Sequence, residues 1–292
     1  MRRRGWEALL HIDRRFIYGM VFLVVALPLV FGWKTPPGYT NPWTQAVYDY
    51  IEKLPPGTPV LLSVDFEPAS RPELSPMALA VVRHCLRRNL RLITMTLVPG
   101  GVLLTEQITD QVAAEQHKQY GVDYVNLGFN PNVLSVVLGL GENLKRVYVF
   151  DTKGQPTSTI PALRGVHNYS NLGLVVEITS TGLSSTWIAF AHTRYKVPLA
   201  VGVTSVMALD MYPFLRTGQL VGMINGIGGA AEYEKLLGVP GEAMLGMPGV
   251  TAVHLLMVLL VLIGNVAYFV TRRQARQAEA EPPPPPPTGE EV

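Results

Sequence analysis

Residues 60–98 read VLLSVDFEPASRPELSPMALAVVRHCLRRNLRLITMTLV, and the order of patterns in them decides the fold class. VLLSVDF (60–66) is a short apolar run bounded by turn residues, the signature of a buried strand. Ser75 and Pro76 offer an N-cap and a first-turn proline for a helix to about Arg88. Arg83, Arg87 and Arg88 sit toward its C-terminus, where the helix dipole favours cations. RLITMTLV (91–98) is the second strand. A strand, a long helix and a further strand require a crossover connection and hence parallel pairing.

The alternation continues to residue 237. A helix capped by Thr105 and stopped at Gly121 leads to DYVNLGF (123–129), and an apolar helix follows at 132–146, either deeply buried or touching another surface. NLGLVVEIT (171–179), PLAVGVTS (198–205) and LVGMIN (220–225) are further strands, with helices over 185–196, about 207–217 and 229–237. The predicted fold is therefore α/β: a mainly parallel, Rossmann-like sheet of about six strands with helices on both faces, spanning 60–248. An amphipathic helix at 44–54, carrying Val47, Tyr50, Ile51 and Leu54, lies in the preceding linker (34–59). Residues 151–170 lack periodicity and read as a long functional or mobile loop leaving the amino edge of the sheet, where Arg164 and His167 could contact an anion or partner.

Two uncharged stretches flank this domain. FIYGMVFLVVALPLVFGW (16–33) spans about 27 Å as a helix, enough for a hydrocarbon core. No small-x-small cleavage site follows it, so an anchor is expected rather than a signal peptide. VTAVHLLMVLLVLIGNVAYFV (250–270) is the second span, and His254 and Asn265 are its strongly polar members, suggesting either a helix partner or reach to the interface. Arg14 and Arg15 precede the first span; Arg272 and Arg273 follow the second. The positive-inside rule then places both termini in the cytoplasm and the α/β domain outside, in the cell membrane. Residues 1–15, with Trp6, Leu9 and Leu10 among arginines, read as a basic interfacial segment, and 271–292 as a basic, then proline-rich tail ending EPPPPPPTGEEV.

Composition narrows the partners. Hydrophobic residues make up 48% and charged ones 16%, unusually apolar for a soluble chain. Residues 35–248 carry 15 basic and 16 acidic side chains, so the domain lacks the cation cluster that nucleic acid needs. The single cysteine, Cys85, rules out an internal disulfide and reads as a buried thiol. The expected partners are the lipid bilayer and another membrane protein or a second copy, with a small ligand possible.

In parallel sheets, ligands bind beyond the carboxyl ends of the strands. Those ends offer Asp65 and Glu67, Thr96, Asn126 and Asn130, Glu177, Thr179, Ser180 and Thr181, Thr204 and Ser205, and Asn225. The same residue types are ordinary helix caps. Asp65 and Glu177 could divide acid and base roles or hold a divalent cation. Asn225-Gly226-Ile227-Gly228-Gly229 leads from strand to helix like a phosphate loop, but matches neither nucleotide fingerprint. The histidines show no zinc spacing, and no Gly-x-Ser-x-Gly elbow occurs, so neither a metal nor a cofactor is expected. Two readings stand: a membrane-anchored module that binds a partner or small ligand, perhaps within a larger assembly, and a membrane-tethered hydrolase using Asp65 and Glu177 or Thr179–Thr181.

Overall fold

The computed structural model describes residues 12–34 and 36–280. The sequence readings at residues 1–11 and in the proline-rich tail fall outside these. The chain forms two compact units, one of residues 34–247 and one of the flanking segments up to Trp33 and from Pro248.

The first unit is built on six strands: β1 (Pro59–Asp65), β2 (Arg91–Thr96), β3 (Tyr124–Phe129), β4 (Leu174–Thr179), β5 (Leu199–Val203) and β6 (Gly222–Asn225). They pair in the order β3-β2-β1-β4-β5-β6, every pair parallel. This is the doubly wound order whose direction reverses between β1 and β4. All seven residues of β1 and all six of β4 are buried, as a central parallel strand requires. One face packs on α2 (Pro42–Lys53), α3 (Arg71–Arg87), α4 (Gly101–Glu115) and α9 (Gly226–Leu237). The other packs on α5 (Val133–Glu142), α6 (Leu144–Val147), a helical segment α7 and α8 (Ala208–Arg216). α7 comprises Ser184–Thr186, a π-helical turn Trp187–His192 and Thr193–Tyr195.

Several helix boundaries differ from the sequence reading. α3 begins at Arg71, with Pro72 in its first turn, so Ser75 is buried within the helix and caps nothing. α4 begins at Gly101; Thr105 lies inside it and donates back to the Gly101 carbonyl at 2.7 Å. The predicted helix 132–146 breaks at Asn143, whose side chain instead caps α6 through Lys145 N. It buries one side, through Val136, Val137, Leu140 and Gly141. Residues 151–170 are a packed segment: Ile160, Ala162, Leu163, Val166 and Tyr169 are core residues, and Asp151 accepts from Lys153 N and Gln155 N. The segment meets the amino edge as expected, through Ala162 N to Gly121 O and Arg91 to the Ala162 and Arg164 carbonyls.

The second unit contains α1 (Arg14–Val30) and the apolar length of α10 (Glu242–Ala280), with Gly249 lying against Val25. Among the described residues one helix, Glu242–Gln274, is long and apolar enough to cross a membrane; α1 has 17 residues and ends before Phe31. His254 Nδ1 bonds the Val250 carbonyl at 2.8 Å and Asn265 donates to the Val261 carbonyl at 2.9 Å. Each polar side chain of the apolar stretch thus makes one bond to its own helix.

The start of α10 is held by one carboxylate. Glu234, in α9 and 2% exposed, accepts from Gly241 N, Ala243 N and Met244 N at 2.9–3.1 Å. A helix start leaves such N–H groups unpaired, and an anion there also meets the positive end of the dipole. Gly241 must lack a side chain, since a Cβ would collide with this carboxylate. Glu234→Ala or Gly241→Ala is expected to lower unfolding stability of the detergent-solubilised chain by about 2–3 kcal/mol and to speed amide exchange at 241–246. Stability unchanged in both variants would show that α10 starts without this clamp.

Candidate functional site

The carboxyl edge of the sheet gathers the residues singled out from the sequence. At the reversal point Asp65 and Thr179 are register partners, and the Thr179 hydroxyl donates to the Asp65 carbonyl at 3.0 Å. Thr181 N donates to Thr179 Oγ1 at 2.9 Å, and Ser180 N reaches the Asp65 carbonyl at 3.4 Å. These groups spend their hydrogen bonds closing the crevice between β1 and β4.

Asp65 and Glu177 lie on the same face of the sheet, in adjacent strands, both 0% exposed. Ser63, which pairs with Glu177 in register, donates to Asp65 Oδ2 at 2.6 Å, and Leu97 N donates to Asp65 Oδ1 at 2.6 Å. Burial still outweighs these bonds and pushes the Asp65 carboxyl up to about 6. Glu177 has no hydrogen-bond partner on either oxygen. Burial first, and the Asp65 charge second, push its carboxyl well above the usual carboxylate range; the nearby Ser184 hydroxyl opposes this without making a well-formed hydrogen bond. Ser184 Oγ and Trp187 Nε1, one turn apart on α7, are likewise buried and unpartnered.

The other edge residues are dispersed. Glu67 is exposed and its carboxylate lies against Gly100, so a Cβ there would collide with it. That puts a carboxylate of the chain itself beside the start of α4, where an anionic ligand would otherwise be favoured. Asn126 accepts from Gly128 N, and Asn130 from Asn132 N, both as local turns. Thr204 O receives Met207 N, and Ser205 donates through N and Oγ to Glu73 Oε1, both at 2.8 Å. Asn225 Oδ1 is unpartnered. Gly226, at φ +58°, packs against Ser205 and Glu73 and belongs to the first turn of α9 with Gly228 and Gly229, so the glycines start a helix and form no open loop.

A cluster the sequence reading passed over lies at the amino edge. His84 is fully buried between Tyr233 Oη, 2.8 Å from Nδ1, and Glu52 Oε1, 3.0 Å from Nε2, which ties α2, α3 and α9 together. Tyr48 stacks on the imidazole, and Arg87 and Arg88 also reach Glu52. The three partners are 32 and 149 residues apart in sequence, and no local spacing joins them. Burial of Cys85 beside it pushes the thiol up to about 12, so it is inert as a nucleophile.

Among the described residues no group of three or more His, Cys, Asp or Glu could hold a metal ion. Compared with known proteins, the chain matches no family model and no curated sequence.

Burial lowers the His84 pKa to about 4 from 6.5, against the pull of Glu52. The unfolded chain therefore takes up a proton that the native state refuses as pH falls from 6.5 to 4, and stability is lost across that window. Relative to His84→Gln, the wild-type chain is expected to lose roughly 3 kcal/mol by pH 4 in denaturant titrations. Parallel pH profiles for the two proteins would show that His84 is not held neutral.

Proposed function

We propose that the chain is a two-span membrane-anchored α/β module that binds a protein partner through the exposed face of α8. The supporting observation is an apolar stripe on α8. Leu209 is 74% exposed, and with Tyr212, Pro213 and Arg216 it follows helical i, i+3, i+4, i+7 spacing along a groove of about 550 Å³. Val206, 87% exposed, extends the stripe at the same edge. Large apolar side chains held in water at helical spacing favour a partner helix or loop that would cover them.

The anchoring half rests on the surface of the apolar unit. Phe16, Tyr18, Phe22 and Val30 on α1, and Leu255, Val261, Leu262 and Phe269 on α10, are all exposed. A surface of that kind is stable in lipid. The flanking arginines favour cytoplasmic termini and an extracytoplasmic domain.

The hydrolase reading keeps one support, the shared sheet face of Asp65 and Glu177, a diagonal cross-strand pair. Substrate and water would have to reach carboxyls that are 0% exposed, which favours the binding reading.

A photo-crosslinker at Leu209 is expected to give one discrete adduct in membranes that is lost in Val206→Glu with Arg216→Ala, while a crosslinker at Lys118 gives none. Equal labelling from both positions, or none from Leu209, would remove the proposed surface. Reporter fusions at residue 155 and at the C-terminus test the anchoring, with an extracytoplasmic signal expected from the first and a cytoplasmic one from the second. A cytoplasmic signal at 155 would overturn the orientation.

A further inference from the structure

Glu177 is anomalous in this core. A carboxylate removed from water is costly unless donors or a cation compensate it, and both Glu177 oxygens lack a hydrogen bond. The groups facing it from the surrounding elements are few. β1 brings Asp65 and Ser63, and α7 brings Ser184; Tyr148, whose hydroxyl is held far up by burial and by the Asp65 charge, acts on Asp65, and Tyr169, Tyr195 and Trp187 belong to the same core. His192, on the same helix as Trp187, spends Nδ1 on the Val197 carbonyl, and Arg194 reaches Glu142. No lysine, arginine or histidine contributes to the environment of either carboxyl.

Two acids share one dry face, then, with no counter-ion among the described residues. A metal ion needs more ligands than this pair supplies, and neither acid lines the α8 groove or the cavity bounded by Lys34, Arg83, Glu234 and Glu242. The ligand that needs no cavity is a proton. We propose that Asp65 and Glu177 form a proton-binding site that keeps α7 seated on the sheet, and that losing the proton as pH rises loosens α7. The direction follows from linkage: a carboxyl whose acidity is weakened by folding stabilises the seated state while protonated, and that contribution disappears as pH rises through its folded value. The protons leave in steps that belong to the pair. α7 is the element poised to respond, since its π-helical turn departs from regular helix bonding and its inward Ser184 and Trp187 carry unpartnered polar atoms. The inference stands independently of the partner surface and of the membrane orientation.

Amide exchange of 184–195 in the full-length, detergent-solubilised chain tests it between pH 5 and 9, corrected for intrinsic rates. Opening of α7 is expected to rise with pH by up to about tenfold per unit until the pair's upper step and to level off above it, while β5 stays protected. In Glu177→Gln, which mimics the protonated acid, the same segment should show no such slope above about pH 6, where Asp65 has already ionised. Infrared spectra of the wild-type chain read the acid directly and do not depend on the variant folding: a protonated carboxyl band is expected at pH 6 and weakens as pH rises. Equal pH slopes in wild type and Glu177→Gln, or no protonated carboxyl band at pH 6, would overturn the proposal.

Discussion

Parallel pairing of β1 with β4 is the constraint on which the rest depends. Strand alternation puts Ser63 and Asp65 of one strand and Glu177 and Thr179 of its neighbour on a single face, and the helices over that face seal them from solvent. The fold answers the two acids differently. Asp65 is given a hydroxyl and a backbone N–H, the minimum that makes a buried anion tolerable. Glu177 is given neither, and burial itself sets its charge state.

That sealing explains why the edge of a doubly wound sheet, where such folds ordinarily hold ligands, offers this chain little room for one. Thr179 and Thr181 bond each other and β1 across the reversal point. Glu67 lies over Gly100 at the start of α4, and Glu73 takes the Ser205 amide and hydroxyl. Side-chain carboxylates thus occupy the places that backbone N–H groups would otherwise offer a phosphate, and their charge repels one. The large apolar side chains Val206 and Leu209 are exposed beside these carboxylates, where α8 begins.

The α/β class was legible because parallel strands are buried on both faces and read as unbroken apolar runs, and six of these alternate with helices. Helix starts were less legible. Ser75-Pro76 and Thr105 look like caps, but Arg71-Pro72 and Gly101 begin the helices a turn earlier, since tertiary burial of Ser75 and Thr105 overrides their capping preference. The Gly226 segment resembles a loop because glycine permits one; here its positive φ serves a close approach to Ser205 and Glu73. That Asp65 and Glu177 share a face needed the strand order, which periodicity does not supply. The Glu52–His84–Tyr233 network needed three helices to meet.

The polar residues of α10 shift the weight of the partner reading. In a lipid environment an unsatisfied histidine or asparagine would favour a neighbouring helix. His254 and Asn265 each bond a carbonyl four residues back, a geometry any helix provides. Those bonds leave His254 Nε2 and the Asn265 side-chain oxygen for other partners. An association confined to the apolar unit would otherwise have to come from shape, at a small residue such as Gly264, since Gly249 and Ala267 are already buried within the unit. The α8 stripe has the opposite character: it lies in the unit of residues 34–247, its apolar side chains gain from leaving water, and the packing of the domain itself leaves them uncovered. In water the hydrophobic effect drives such contacts, whereas in lipid it does not, so the partner proposed above is sought on the α/β unit.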